Sequence, residues 1–306
     1  MVLGIDLHRL LAPLDALVGA ISSWADDASW RHRARRRPRH IVLIRHGESE
    51  ANLDTSLHQS VADHRIALSD KGWEQAREAG AKLRREIAGN GRVVWYCSPL
   101  LRTRQTLQGL LEGGGWDASV EDVRQDPRLR EQEWGNFQDP EEIRAAMSER
   151  HEYGHFYYRF PRGESGADCY DRCDSFVGSL MRAMDAGFGR KKVPTVVSRR
   201  RVETVVIVTH GITLRLLATR YLKWTVAQFM PLRNPRNCEA WVLARTPQGT
   251  FQLKTTPRRY AQSETKNTDC DDSIQAIKGA KNTKEEIRTR TRTRQNKDIA
   301  PAGREE

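Results

Sequence analysis

Two dipeptides in this chain share a setting in which they could do chemistry together. Arg45-His46-Gly47 follows the apolar run His40-Ile41-Val42-Leu43-Ile44, and His210-Gly211 follows Thr204 to Thr209, TVVIVT. Short continuous apolar runs of this kind read as fully buried parallel strands. In open α/β sheets, ligands bind beyond the carboxyl ends of the strands, where helix N-termini present free N–H groups. Each His-Gly therefore sits where an anion is held, and glycine lets backbone amides approach it closely. Between the two, Val93-Val94-Trp95-Tyr96-Cys97 reads as another strand and delivers Arg102, one turn into the next helix, to the same rim. Two histidines and two arginines at one sheet edge make a site for a phosphoryl group. Guanidinium forks match its oxygens, and an imidazole can act as nucleophile.

The elements that must hold these residues alternate along the chain. Ser69 to Ala88 is expected to be helical, with Ser69 as N-cap and Trp73, Ala76, Gly80, Leu83 and Ile87 on one face. Ser98-Pro99 supplies an N-cap and a proline at the first helical position, starting a helix to about Leu111 that Gly113-Gly114-Gly115 breaks. Another helix is expected from Ser165, with Asp168 completing a variant capping box and Tyr170, Cys173, Phe176, Val177, Leu180, Met181 and Met184 as its apolar face. Ile212 to Leu222 forms the helix after the TVVIVT strand, and Glu239–Arg245 and Thr250–Lys254 read as closing strands. Strands alternating with helices define an α/β fold, a three-layer α/β/α sandwich on a mostly parallel central sheet.

Composition sets the boundaries. Of 306 residues, 51 are Lys or Arg, 40 are Asp or Glu, and 38% are hydrophobic. Residues 261–306 contain no aromatic residue and only Ile274, Ile277, Ile287 and Ile299 as large aliphatics, too little apolar surface to offset chain entropy. We therefore divide the chain into an N-terminal amphipathic helix and basic linker (1–39), a catalytic domain (40–260) and a charged, disordered tail (261–306). The middle carries 34 basic and 27 acidic side chains, a balance suited to anionic partners. Five cysteines with no Cys-x-x-Cys pair argue against a disulfide framework or a zinc ribbon and for a reducing compartment. Leu3, Leu7, Leu10, Leu11, Leu14, Leu17, Val18 and Ile21 form a helical stripe without the basic start of a secretory signal. Packing on the body or on a partner is the preferred reading of that stripe, and a membrane surface is the second. The run RHRARRRPRH (31–40) reads as a solvated linker, with nuclear import as its alternative. The longest uncharged apolar run there, Ala16 to Ala25, is far too short to span a bilayer.

Six segments carry a family resemblance: RHGESEAN (45–52), LSDKGWEQA (68–76), SPLLRTRQT (98–106), RLREQEWGNFQ (128–138), RFPRGES (159–165) and VTHGITLR (208–215). In this order they resemble the histidine phosphatase, or phosphoglycerate mutase-like, superfamily over about residues 40–260. The stretches around 128–138 and 153–172 are most similar to a small fungal and plant branch described as broad-specificity acid phosphatases. The resemblance implies that His46 is the nucleophile and that Arg45, Arg102 and His210 hold the phosphoryl oxygens. Asn52 matches an asparagine that also contacts phosphate. Glu131 matches the acid that protonates the leaving alkoxide and then activates water, with Glu133 as a rival two residues away. Gly211 is placed at the substrate, and Gly163-Glu164-Ser165 is read equally as a turn with a helix cap and as a substrate contact through Glu164. Arg159, Arg162 and Arg215 match basic positions that hold a second substrate phosphate in related fructose-2,6-bisphosphatases. A lone strand-end histidine is usually structural; a matched pair, each followed by glycine, reverses that expectation.

The expected activity is thus a phosphomonoester hydrolase working through phosphohistidine on small phosphorylated metabolites, with no metal and no cofactor. The alternatives are a phosphoglycerate mutase, a sugar-bisphosphate phosphatase, or a scaffold that binds acidic partners through its basic segments 31–39, 191–201 and 288–294. A hydrolase is preferred to a mutase because the stretch between Arg102 and Arg159 is short. A kinase-fused bisphosphatase is excluded by the absence of a Gly-x-x-x-x-Gly-Lys phosphate loop. A cytoplasmic location is expected, with the nucleus as second choice, and nucleic acid is not an expected partner. Tyr153, Phe156, Tyr157 and Tyr158 are read as packing residues rather than a lid.

Overall fold

The apolar runs become strands because neither of their faces has a polar side to offer water. In the computed structural model, which describes residues 20–24, 34, 37–54, 56–119, 121–135, 140–188 and 201–260, the order is β1 (His40–Arg45), α1 (Asp70–Leu83), β2 (Arg92–Cys97), α2 (Leu101–Gly114), β3 (Asp122–Gln125), α3 (Pro140–Tyr153), α4 (Gly166–Asp185), β4 (Val202–Thr209), α5 (Gly211–Leu222), β5 (Ala240–Arg245) and β6 (Phe251–Leu253). The six strands form one sheet in the order β3-β2-β4-β1-β5-β6. β1, β2, β3 and β4 run parallel, while β5 and β6 are antiparallel additions at one edge.

Alternation along the strands produces two cores. Ile41, Leu43, Val94, Tyr96, Val205, Ile207, Trp241 and Leu243 meet α4 and α5 through Phe176, Leu180, Met184, Leu214 and Leu217. Val42, Ile44, Val93, Trp95, Val206 and Val208 meet Leu83 of α1 and Leu107, Leu110 and Leu111 of α2. Each such side chain stabilises the fold by roughly 1.5–3 kcal/mol when fully buried. The helix after β1 therefore covers one face and the helix after β4 the other. β1 and β4 are neighbours, so their carboxyl ends flank the point where the chain switches faces, the place where α/β sheets open a crevice.

Several local expectations need correction. Gly113 does not break α2. The helix continues to Gly114 and ends at Gly115, whose φ of +66° supplies the left-handed C-cap. Gly113 is instead a contact point, since a Cβ there would lie 1.9 Å from the Arg77 carbonyl oxygen of α1. Ser98 does not cap α2 either, because the helix begins at Leu101 with Leu100 at the cap. The Ser69 cap and the Ser165–Asp168 capping box form as expected. β3 and α3 are additional elements: β3, Asp-Val-Arg-Gln, is an edge strand with one apolar side chain. Of the four aromatic residues at 153–158, Phe156 and Tyr158 pack, while Tyr153 and Tyr157 are exposed. Residues 20–24 of the N-terminal stripe are helical, with Ile21 and Trp24 exposed. The rest of that stripe, most of the basic run 31–39, the loop 189–200 and the tail from 261 lie outside the described residues. No helix among the described residues is long and apolar enough to cross a membrane.

Candidate active site

Strand register builds the centre. Arg45 of β1 is paired with Thr209 of β4, so the residues that follow, His46 and His210, leave the sheet side by side. The His46 N–H donates to the Thr209 carbonyl at 2.9 Å, and the two rings meet edge to face with centroids 5.3 Å apart. His46 Nδ1 lies 2.7 Å from the Gly47 carbonyl oxygen. A carbonyl can only accept, so Nδ1 carries the proton and Nε2 keeps its lone pair. His210 Nε2 is 2.9 Å from Ser98 Oγ at the end of β2. Ser98, expected as a helix cap, instead orients the second histidine.

The flanking charges are Arg45 and Arg102, both buried. Arg45 Nη1 donates to the Pro235 carbonyl at 2.7 Å. Among the described residues, Arg45 Nε and His210 Nδ1 are buried without a hydrogen-bond partner, a cost that a bound anion would remove. Burial, followed by the charges of Arg102 and Arg45, holds the His46 imidazole well below its ordinary range. Burial and Arg102 do the same to His210. Both rings are therefore neutral at physiological pH.

Glu131 completes the centre. Its Oε2 is 3.7 Å from His210 Nδ1, and its side chain is 22% exposed. Burial pushes its carboxyl group above the ordinary range, against the pull of Arg102. Glu133 is exposed, and it is Glu131 that joins the histidines. The donor atoms of His46, Glu131 and His210 all lie within 4.8 Å of one another, close enough to hold a metal ion. The two adjacent guanidiniums favour an anion there.

The Glu131 loop is pinned by a neighbour that sequence reasoning missed. Arg172 of α4 donates from Nη1 to the carbonyls of Arg128 (2.7 Å) and Arg130 (2.9 Å) and from Nη2 to that of Glu131 (3.1 Å). The same guanidinium pairs with Glu164. Glu164 is also bonded to Arg130 and accepts the Glu133 N–H. Arg172 lies three residues after Cys169 and four before Phe176, a charged residue at the margin of a buried stripe, and that placement was its signal in the sequence.

The remaining expected residues separate into two groups. Asn52 is linked to the centre through Asn237, whose Nδ2 donates to the His46 carbonyl at 3.2 Å and lies 3.5 Å from Asn52 Oδ1, an atom that also accepts from Ser49. Gly211 opens α5, and a Cβ there would lie 2.7 Å from Asn234 Oδ1. Gly47 is required by backbone crowding, not by an anion: a Cβ would lie 2.6 Å from the Gly72 oxygen, and the Gly47 N–H donates to Thr106 Oγ1. Glu164 is corrected from substrate contact to loop clamp, since its carboxylate is committed to two arginines and an N–H. Arg215 is likewise corrected: it is 2% exposed, donates to the Leu232 carbonyl and lies over the Phe229 ring. Arg159 is exposed and paired with Asp168, and Arg162 is exposed with a φ of 75°. No hydrogen bond or ion pair found among the described residues brings either of them to the histidine pair.

A strand-end pair of neutral histidines between two buried arginines defines a phosphoryl-transfer class, and comparison with known proteins agrees. The model of the histidine phosphatase superfamily (branch 1) matches residues 41–256, and the chain belongs to that family. It is 41% identical to the phosphoglycerate mutase-like protein AT74H of Arabidopsis thaliana over 228 residues, covering 70% of this chain and 76% of the relative. It is 29% identical to the broad-range acid phosphatase DET1 of Saccharomyces cerevisiae, covering 68% and 85%. Among solved structures, a mycobacterial glucosyl-3-phosphoglycerate phosphatase in complex with VO3 aligns with a TM-score of 0.54 at 25% identity, covering 71% of this chain and 98% of that one.

Proposed function

We propose that the protein hydrolyses small phosphomonoesters through a phosphohistidine on His46, without a metal. The observation that carries this reading is the tautomer of His46: its Nδ1 proton is held by the Gly47 carbonyl, which leaves Nε2 as a nucleophile beside two guanidiniums. In the first step Nε2 attacks phosphorus and the P–O bond to the leaving group breaks. Glu131, whose carboxyl group burial shifts towards its protonated form, gives its proton to the departing oxygen. In the second step the Glu131 carboxylate takes a proton from water, whose oxygen attacks phosphorus and frees His46 and inorganic phosphate. Arg45, Arg102, His210 and the Asn52 amide hold the equatorial oxygens, where charge accumulates. The guanidiniums supply the positive charge that a metal supplies in other phosphatases.

The relatives' names span mutase-like and phosphatase proteins, and the hydrolytic reading is favoured by the broad-range phosphatase among them. The proposed catalytic unit is residues 40–260. The test is hydrolysis of p-nitrophenyl phosphate in EDTA, with rapid quenching to trap phosphoenzyme. Wild type is expected to be active and to carry an acid-labile phosphoryl group, and His46→Ala is expected to lose both. Activity only with added divalent metal, or label on another side chain, would overturn the mechanism.

A further inference from the structure

Arg102 is not open to the crevice on every side. Its Nη1 donates to the Asp63 carbonyl and Oδ1, both at 2.9 Å, and its Nη2 donates to Asp63 Oδ2 at 3.2 Å. Arg102 is 4% exposed and the Asp63 side chain 46%, so a solvent-facing carboxylate sits against a buried cation assigned to phosphate. Asp63 is carried on the single turn Asp63–Arg65, which is anchored by the buried Ile66 and by the Leu68 N–H donating to Gln105 Oε1 of α2. His58 Nδ1 stands 3.8 Å from Asp63 Oδ1, and the His58 ring leans on Trp134 of the Glu131 loop. The charged and titratable groups around Asp63 are therefore Arg102 from α2, His58 from the preceding short helix and Glu131 from the facing loop, with His64 and Arg65 on its own turn.

Resting on the reading of this crevice as a phosphoryl site, we propose that Asp63 is a specificity-determining residue: by neutralising Arg102 it makes the pocket select the singly charged, protonated phosphate group over the dianion. Two buried guanidiniums beside two neutral imidazoles would suit a dianion. One carboxylate bound to one of those guanidiniums leaves a single net positive charge. A monoanion matches that balance, and its P–OH is a donor where a carboxylate is an acceptor. The influence of Asp63 reaches the reacting groups, because its charge also helps to raise the Glu131 carboxyl group.

The test uses two tetrahedral probes of similar shape and different charge, perrhenate (one negative charge) and sulfate (two), as competitive inhibitors of p-nitrophenyl phosphate hydrolysis near neutral pH. Asp63→Asn keeps the shape and removes the charge. Its gain in sulfate affinity should exceed its gain in perrhenate affinity by about tenfold or more, because the lost charge acts on one additional unit of ligand charge. Phosphomonoesters lose their second proton near pH 6. The alkaline fall of wild-type kcat/KM should therefore follow that proton and become shallower in Asp63→Asn, which accepts the dianion better. This substrate suits the measurement because its leaving group hardly needs Glu131, whose carboxyl group the same substitution would lower. Asp63→Ser provides the same comparison should the asparagine variant melt early. Equal gains for both anions, or weaker binding of both, would show that Asp63 only positions Arg102 and would overturn the proposal. Failure of both anions to compete in wild type would overturn the phosphoryl-site reading and the proposal with it.

Discussion

Arg172→Met keeps most of the apolar stem and removes the fork that ties down the Glu131 loop. Three backbone carbonyls, the Glu164 carboxylate and Cys169 Sγ lose a donor. Removing one partner of a buried ion pair costs about 3–5 kcal/mol. Glu164 retains Arg130 and the Glu133 N–H, so we take the lower figure, about 3 kcal/mol. At about 2–4 °C per kcal/mol for a domain of this size, the melting temperature should fall by about 6–12 °C. The functional effect should depend on the leaving group. Glu131 is held through its own carbonyl, and a displacement of about 1 Å at a reacting group can cost about a hundredfold. Hydrolysis of an alkyl phosphate should therefore slow by about ten- to a hundredfold, while p-nitrophenyl phosphate, which needs little proton donation, loses far less. The assay is kcat across a series of substituted phenyl and alkyl phosphates, read as the slope against leaving-group pKa. The slope should steepen, and adding Glu131→Gln should steepen it little further. A fall in melting temperature with an unchanged slope would refute the positioning role of Arg172 and leave it a purely structural residue.

Other substitutions test the electrostatics and the packing. Glu131→Gln should raise the melting temperature near neutral pH: the native carboxyl is shifted above 4.5, so its contribution is favourable below that value and lost as pH rises through the native pKa. The advantage of the variant should vanish towards acid pH in a melting series. His46 and His210 titrate in the opposite direction. Their native values lie below 6.5, so wild-type stability should decline as pH falls below that point, and His46→Asn should flatten the decline. Gly113→Ala places a methyl group against the Arg77 carbonyl and should cost about 1–3 kcal/mol, seen as a lower urea midpoint with an unchanged m-value.

Much of the centre was legible because it depends on strands buried on both faces. Such runs are continuous in apolar residues, and the positions just past their ends are fixed to within a residue, so Arg45, His46 and His210 could be placed at one edge before any coordinates. Residues that act through other elements left weaker marks. Ser98 before proline has the pattern of a helix cap, and only the later start of α2 frees its hydroxyl for His210. Glu164 and Arg172 are charged residues near a helix start, which in sequence resemble a solvated surface; their burial follows from the 128–133 loop lying across α4. Asp63 belongs to a stretch without periodicity, and nothing in the chain points it towards Arg102. β3 and α3 were missed for the same reason, since an edge strand with one apolar residue has no pattern to read.

The two pKa shifts at the centre have a common purpose that neither has alone. The proposed first step needs His46 neutral and Glu131 protonated in the same molecule. With ordinary values near 4.3 for glutamate and 6.5 for histidine, midway between them each group is in its required form about 7% of the time, and both together about one time in two hundred. Burial raises one group and lowers the other, bringing them towards the order the reaction requires and populating the productive state without any change in geometry. The consequence appears in kcat, which reports the bound complex. For an alkyl phosphate the alkaline limb should follow Glu131, and for p-nitrophenyl phosphate, which needs only the neutral imidazole, the rate should persist to higher pH. Coincident alkaline limbs for the two substrates would mean that Glu131 does not donate the proton.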